Sequence, residues 1–384
     1  MQTRGRRAFL GRLVAVGTVS IAGAPAGAQT ADDDAIFYAP RAAPPAGYPA
    51  SYSRIVRAAE DEGRVVIYSN TDADIAAPLI ADFEAMYRRI EVTYEDINAT
   101  ELYHRFVAES KLGTETADIL WSSAMDQQAA LVSDGYAMAY DSPEKAGLPN
   151  WAHWKDEAFA TTYEPIVFAY NKGALPDHDV PQTRADFARL LNADPARFKG
   201  KVSGYNIEKS GLGFFLATRD ATISPEFWSI AKALGRTEPQ LELNTSAMVR
   251  KLISGRTVIG YNLLGAYTAQ QAQNNPTLGY VFPRDYTLVM SRVLVANGKA
   301  RHPNAAKLWI DYLLSKRGQT VIANASRLYA VREDVEGTAT AKKLKQTLGA
   351  SERPIAIGPE LIGYMNNRNY RDFILQWKKS MSGP

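Results

Sequence analysis

From about residue 64 onward the chain alternates short β-branched runs with longer stretches that are apolar at helical spacing. This alternation limits the possible folds more than any other feature. Arg64-Val65-Val66-Ile67-Tyr68 has the composition of a buried strand. Ile75, Leu79, Ile80, Phe83 and Tyr87 then recur along one helix face. Glu91-Val92-Thr93-Tyr94 is a second strand, and residues 99–112 are a helix carrying Leu102, Phe106 and Val107 on one side. Asp118-Ile119-Leu120-Trp121 is a third strand, and the helix after it stops at Asp134-Gly135. A strand–helix order repeated in this way requires right-handed crossovers, and so a mostly parallel sheet with helices on both faces.

The pattern restarts in mid-chain. Residues 166–170, 202–205, 258–261 and 280–282 read as strands, and residues 288–296 as one long apolar strand. Helices are expected over 184–191, 211–218, 225–234, 247–253 and 304–314, the last with Ala305, Leu308, Trp309, Tyr312 and Leu313 inward. No repeat of 20 to 50 residues is visible, which removes solenoids and propellers. The expectation is an α/β protein with two Rossmann-like lobes. Residues 51–162 with 290–384 form the first lobe and 163–289 the second; the C-terminal region is helical near 341–347 and near Trp377.

The start of the chain is of another kind. Gly5-Arg6-Arg7-Ala8-Phe9-Leu10 precedes an apolar run from about Leu13 to Ala24 and the small-residue site Ala26-Gly27-Ala28. Residues 1–28 therefore read as a removable export leader. Its paired arginines before Phe-Leu resemble a twin-arginine signal. The run is too short, and too interrupted by Gly17, Gly23 and Pro25, to persist as a membrane span. Residues 29–50, with four prolines and Asp32-Asp33-Asp34, read as a poorly ordered lead-in.

Arg4, Arg6, Arg7 and Arg12 all lie in the leader, and without them 40 basic residues stand against 41 acidic ones. That near-neutral balance argues against nucleic acid as a partner. Cysteine is absent, which excludes a thiol enzyme, a Cys-ligated metal and a lipid-modified Cys after the leader. The expected product is a soluble, monomeric periplasmic protein. His104, His153, His178 and His302 show no metal-ligand spacing. Gly-x-Ser-x-Gly and His-Glu-x-x-His are also missing, so an exported enzyme is the weaker alternative.

In open α/β sheets, ligands sit beyond the carboxyl ends of the strands, where helix N-termini present N–H groups. Here those ends carry Ser69-Asn70-Thr71, Ser122-Ser123, Asn206 and Ser210-Gly211. Each is also an ordinary helix cap in its own right; their convergence on one cleft is what makes an oxyanion site.

Several segments together resemble the periplasmic solute-binding proteins of ABC importers, in the two-lobed group that includes ferric-iron and organophosphate binders. They are Val65 to Ser69, Ala117 to Ser123, Pro165 to Asn171, Asn244-Thr245-Ser246 with Leu252 to Gly260, and Phe282-Pro283-Arg284-Asp285 with Asn304 to Leu314. The resemblance implies a type II periplasmic binding protein fold, with crossing strands between the lobes and ligand in the cleft. It also implies delivery to a membrane permease, and no cofactor. Ferric binders of the group use adjacent tyrosines. At the matching place this chain has Leu264-Gly265-Ala266-Tyr267, one tyrosine, with Tyr261 the other phenol available to a ferric ion.

A small anion (organophosphate, phosphonate or carboxylate) therefore fits better than iron. Ser69, Asn70, Thr71, Ser122, Ser123, Asn206, Ser210 and Tyr267 are its expected donors, and Arg284 its charge partner. Asp285, and Tyr163 with Glu164 from the hinge side, are expected to read the organic part; for the latter two a purely structural hinge role is the equal alternative. A ligand-loaded partner of a membrane receptor needs the same cleft.

Overall fold

The repeated strand–helix units near the N-terminus build one sheet. In the computed structural model, which describes residues 47–382, β1 (Arg64–Ser69) lies between β2 (Glu91–Asp96) and β3 (Ile119–Ser122), parallel to both. The leader expected over 1–28, and all but the end of the lead-in, lie outside the described residues. Helix α1 (Tyr52–Glu62) ends where Gly63 turns left-handed at φ 69°. Helices α2 (Ala73–Met86), α3 (Ala99–Leu112) and α4 (Met125–Ser133) each follow a strand of this sheet.

The sheet is completed by β4 (His153–Trp154), β5 (Ala158–Ala160) and a strand from much later in the chain, β12 (Val293–Ala296), in the order β2-β1-β3-β12-β5-β4. The second sheet runs β13-β11-β6-β9-β7-β8. It uses β6 (Glu164–Asn171), β7 (Val202–Tyr205), β8 (Gln240–Glu242), β9 (Ile259–Leu264), β11 (Thr287–Met290) and β13 (Glu352–Pro354), while β10 (Leu278–Val281) pairs with β6. Its helices are α5 (Arg184–Ala193), opened by a Thr183–Asp186 capping box, α6 (Gly211–Ile223), α7 (Glu226–Arg236), α8 (Thr245–Ile253) and α9 (Gly265–Asn274).

The apolar run 288–296, expected as one strand, is two strands in different sheets. Ser291 and Arg292 break it. Ser291 Oγ donates to the Thr162 carbonyl (2.5 Å), Arg292 N–H donates to Thr162 Oγ1 (2.8 Å), and Thr161 N–H returns to the Arg292 carbonyl (2.9 Å). The two crossing segments are thus bonded to each other between the sheets. Gln319, in α11 (Lys316–Asn324) just after α10 (Pro303–Leu314), ties in a third segment: its amide donates to the Thr161 carbonyl at 2.9 Å and accepts from Val331 N–H at 2.8 Å.

The tail expected in the first lobe turns back to the second sheet. β13 pairs parallel with β11, and α12 (Asn367–Met381) stacks Phe373 and Trp377 on Phe227 of α7 at 6.0 and 5.9 Å. The exposed polar stretch Glu352–Pro354 has no strand periodicity, so nothing local marks this return.

Asp311 of α10 shows how the first core handles a charge. It is 1% exposed and accepts from Tyr52 Oη (2.8 Å), Tyr140 Oη (2.7 Å) and Ser142 Oγ (2.5 Å). Burial outweighs these three bonds and pushes its carboxyl up to about 6. The folded state therefore holds this proton more tightly than the unfolded chain does. The resulting stability is present below about pH 4 and is lost as pH rises through about 6. Urea unfolding at pH 4 and pH 7 should show Asp311→Asn losing roughly 2 kcal/mol of the wild-type difference. An unchanged profile would refute this assignment.

Candidate functional site

The carboxyl ends of the strands in both lobes face one cavity of about 160 Å³. From the first lobe come Asn70 and Asp72 after β1, Asp96 at the end of β2 with Asn98 after it, and Ser123 after β3. From the second come Ser210 beyond β7, Asn244, Thr245 and Ser246 after β8, and Leu264 at the end of β9 with Tyr267 after it; Arg292 completes the wall from the crossing segment. Helices α2, α3, α4, α6, α8 and α9 all begin at these loops, so six N-terminal ends surround the space.

Some of the polar side chains are spent on their own helices. Asn98 accepts from Thr100 N–H (2.9 Å), Ser210 Oγ from Gly213 N–H (3.2 Å) and Asn244 from Ala247 N–H (2.9 Å). Helices α2, α4 and α9 carry no such cap. Asn70 and Ser123 lock the first and third loops together: Asn70 Nδ2 donates to Ser123 Oγ (2.7 Å) and Ser123 N–H donates to Asn70 Oδ1 (3.0 Å).

Of the residues expected from sequence, Asn70, Ser123, Ser210 and Tyr267 line the cavity. Ser69, Thr71 and Ser122 lie buried behind it: Ser69 Oγ donates to the Trp121 carbonyl, Thr71 Oγ1 accepts from Arg292, and Ser122 Oγ accepts from Ala124 N–H. Glu164 stands behind Arg292, and Tyr163 is fully buried against Trp151 with ring centroids 5.5 Å apart.

Four other expected residues lie away from this cavity. Arg284 is exposed, away from the cavity, and its N–H donates to the Gln182 carbonyl. Asp285 accepts from the buried Arg184, at 3.1 Å from its N–H and 3.4 Å from Nη1. Asn206 closes a turn onto Glu208 N–H. Tyr261 donates to the buried Asp220 at 2.9 Å, so it gives the cleft no second phenol.

The cation on the cavity wall, not singled out from sequence, is Arg292. Its signal was present: an arginine inside an apolar run must be paired if it is buried. It is 1% exposed, with Nε 2.9 Å from Glu164 Oε1, Nη1 donating to Thr71 Oγ1 at 2.7 Å, and the guanidinium 5.3 Å from the centre of the Tyr267 ring. Burial alone would lower its pKa, but Glu164 and the nearby phenols more than offset this, so it remains charged. Burial pushes the Tyr267 phenol up to about 12 despite Arg292. Desolvation, with Asp72 as a like-charged neighbour, raises Asp96.

At the cavity, two hydrogen bonds cross from lobe to lobe. Ser246 Oγ donates to Asp72 Oδ2 (3.1 Å), and Asp72 N–H donates to Tyr267 Oη (3.3 Å). Tyr267 is placed by the close approach of α9 to β6: a Cβ on Gly265 would stand 2.8 Å from the Pro165 carbonyl oxygen. Gly265→Ala should cost about 1–3 kcal/mol in urea unfolding, and a variant as stable as the parent would show that the backbone yields freely there.

Among curated proteins none matches the sequence. Among solved structures, a substrate-binding protein of an ABC transporter from Agrobacterium tumefaciens is 36% identical over 83% of this chain and 94% of its own, with a TM-score of 0.79. The periplasmic binding protein AfuA from Actinobacillus pleuropneumoniae, with fructose-6-phosphate bound, is 18% identical over 84% of this chain and 99% of its own (TM-score 0.68). The apo ferric ion-binding protein A of Pasteurella haemolytica is 19% identical over 84% and 99% (TM-score 0.65). These last two share the two-lobed α/β fold of periplasmic binding proteins. The sequence profile of the bacterial extracellular solute-binding proteins matches residues 78–348, and this chain belongs to that family.

Proposed function

We propose that this protein is the solute-capturing component of an ABC importer, exported to the periplasm, which holds a small organic anion between its lobes and delivers it to a membrane permease. One observation carries this reading: six helix N-termini from both lobes open onto a single polar cavity that also holds a buried arginine. Anionic groups are stabilised by N-terminal N–H groups and by a guanidinium in a desolvated setting. Asp72 and Asp96 on the same wall suit hydroxyl or amino groups on the rest of the solute. The space of about 160 Å³ adjoins one of about 280 Å³ that shares Asp72, Ser246 and Tyr267, so the cleft suits a solute of modest size. No bond is made or broken. The ligand favours the closed arrangement, in which Asp72 meets Ser246 and Tyr267.

Thermal unfolding against phosphate esters, phosphonates, carboxylates and ferric citrate tests this. A solute at a hundred times its Kd should stabilise the protein by about 2.7 kcal/mol. The response should fall in Ser123→Ala and Tyr267→Phe. A response to ferric citrate alone, accompanied by a tyrosinate colour, would overturn the organic-anion reading.

A further inference from the structure

We propose that the protein carries a second ligand site beside the cleft, one that takes an ammonium group on an apolar stem. A cavity of about 370 Å³ lies where α3 and α4 of the first lobe meet the start of α6 in the second. Met365, Asn367 and Tyr370 of the C-terminal segment close its outer side, and Ser210 is common to both cavities. The proposal does not depend on the anion reading of the cleft.

Its walls are of two kinds. Tyr103, Phe214 and Tyr370 supply aromatic surface, with the Phe214 and Tyr370 rings 4.8 Å apart. Against them stand two buried acceptors. Asp126 is 3% exposed, and among the described residues its carboxylate accepts only from amides of its own helix start, Gln127 N–H at 2.9 Å among them. Arg219 acts on it only from beyond ion-pair distance. Gln127 is 9% exposed, and its side-chain oxygen has no hydrogen-bond donor among the described residues.

Buried acceptors call for donors, and a buried carboxylate calls for a cation. Desolvation holds the Asp126 carboxyl up at about 7, outweighing its helix amides and the more distant Arg219. An ammonium brings three N–H donors and a positive charge, and aromatic faces attract such a cation while covering an apolar stem. Glu208, also on the wall, is already paired with Lys378 at 2.6 Å, which leaves Asp126 as the acid without a partner cation.

Benzylammonium chloride is the probe, followed by isothermal titration calorimetry on the whole protein. Saturable one-to-one binding is expected, with benzyl alcohol weaker by about tenfold or more. Asp126→Asn should lose about the same factor. Tyr370 is 38% exposed, so Tyr370→Ser spares the core and should weaken the probe even if Asp126→Asn fails to fold. Ser123→Ala, in the cleft, should leave benzylammonium affinity unchanged. Absence of saturable binding overturns the proposal. So does equal affinity for the alcohol, an unaltered affinity in Tyr370→Ser, or a loss in Ser123→Ala, which would put the probe in the cleft.

Discussion

Asp220→Ala should destabilise the protein by about 3–5 kcal/mol. Asp220, on α6, is fully buried and is the meeting point of the second lobe's polar core. It accepts from Arg184 Nε at 3.2 Å, Tyr286 Oη at 3.0 Å, Tyr261 Oη at 2.9 Å and Asn262 Nδ2 at 2.5 Å. Arg184 is also 0% exposed; its Nη2 stands 3.0 Å from Asp220, and the guanidinium lies 3.5 Å from the centre of the Tyr286 ring. Removing the acid leaves a buried cation that keeps the Tyr286 carbonyl and the more distant Asp285. Asn262 adds to the cost, since its φ of 60° is held by a side chain that would lose its acceptor. Urea unfolding provides the measurement. The double variant Asp220→Leu, Arg184→Met should recover much of the loss, because a buried pair costs more when broken than when replaced by apolar groups. If the double variant is as unstable as Asp220→Ala, the deficit lies in the tyrosines and Asn262 rather than in the stranded cation.

Arg292→Met should have two separable effects: a loss of about 3–5 kcal/mol of stability and loss of the solute response. Stability falls because Glu164, 0% exposed, keeps Thr162 Oγ1 as a donor (2.8 Å) but loses its cation. The solute response falls because Arg292 is the cation on the cavity wall. Adding Glu164→Gln should restore part of the stability and none of the binding. A double variant that regains both would mean that Arg292 serves the hinge alone. Unaltered binding in Arg292→Met would remove the guanidinium from the proposed anion site.

Much of the fold was legible because its signals are local. The β1, β2 and β3 runs, and the α10 pattern around Trp309, state their periodicity within a few residues. The two- and three-residue strands β4, β5 and β8 are shorter than any period that could announce them. The break at Ser291-Arg292 was visible as two polar residues in an apolar run, yet its meaning depends on Thr162, some 130 residues earlier.

The site divides along the same line. Asn70, Ser123 and Ser210 line the cavity as expected because a strand end followed by a helix start can be read locally. Arg284 and Asp285 do not line it, because a residue's type does not state which end of the sheet its loop belongs to. Asp72 meets Ser246 across 174 residues of sequence, a pairing that local pattern cannot contain.

By itself, then, the sequence determined the α/β class, the restart that makes two sheets, and the kinds of polar group that end the strands. Tertiary structure alone decided that β12 joins the first sheet, that the tail returns to the second, and that Arg292 rather than Arg284 faces the cavity. The physical reason is that periodicity and capping are set by neighbours within a few residues, whereas pairing a buried charge depends on which distant backbone the closed fold brings beside it.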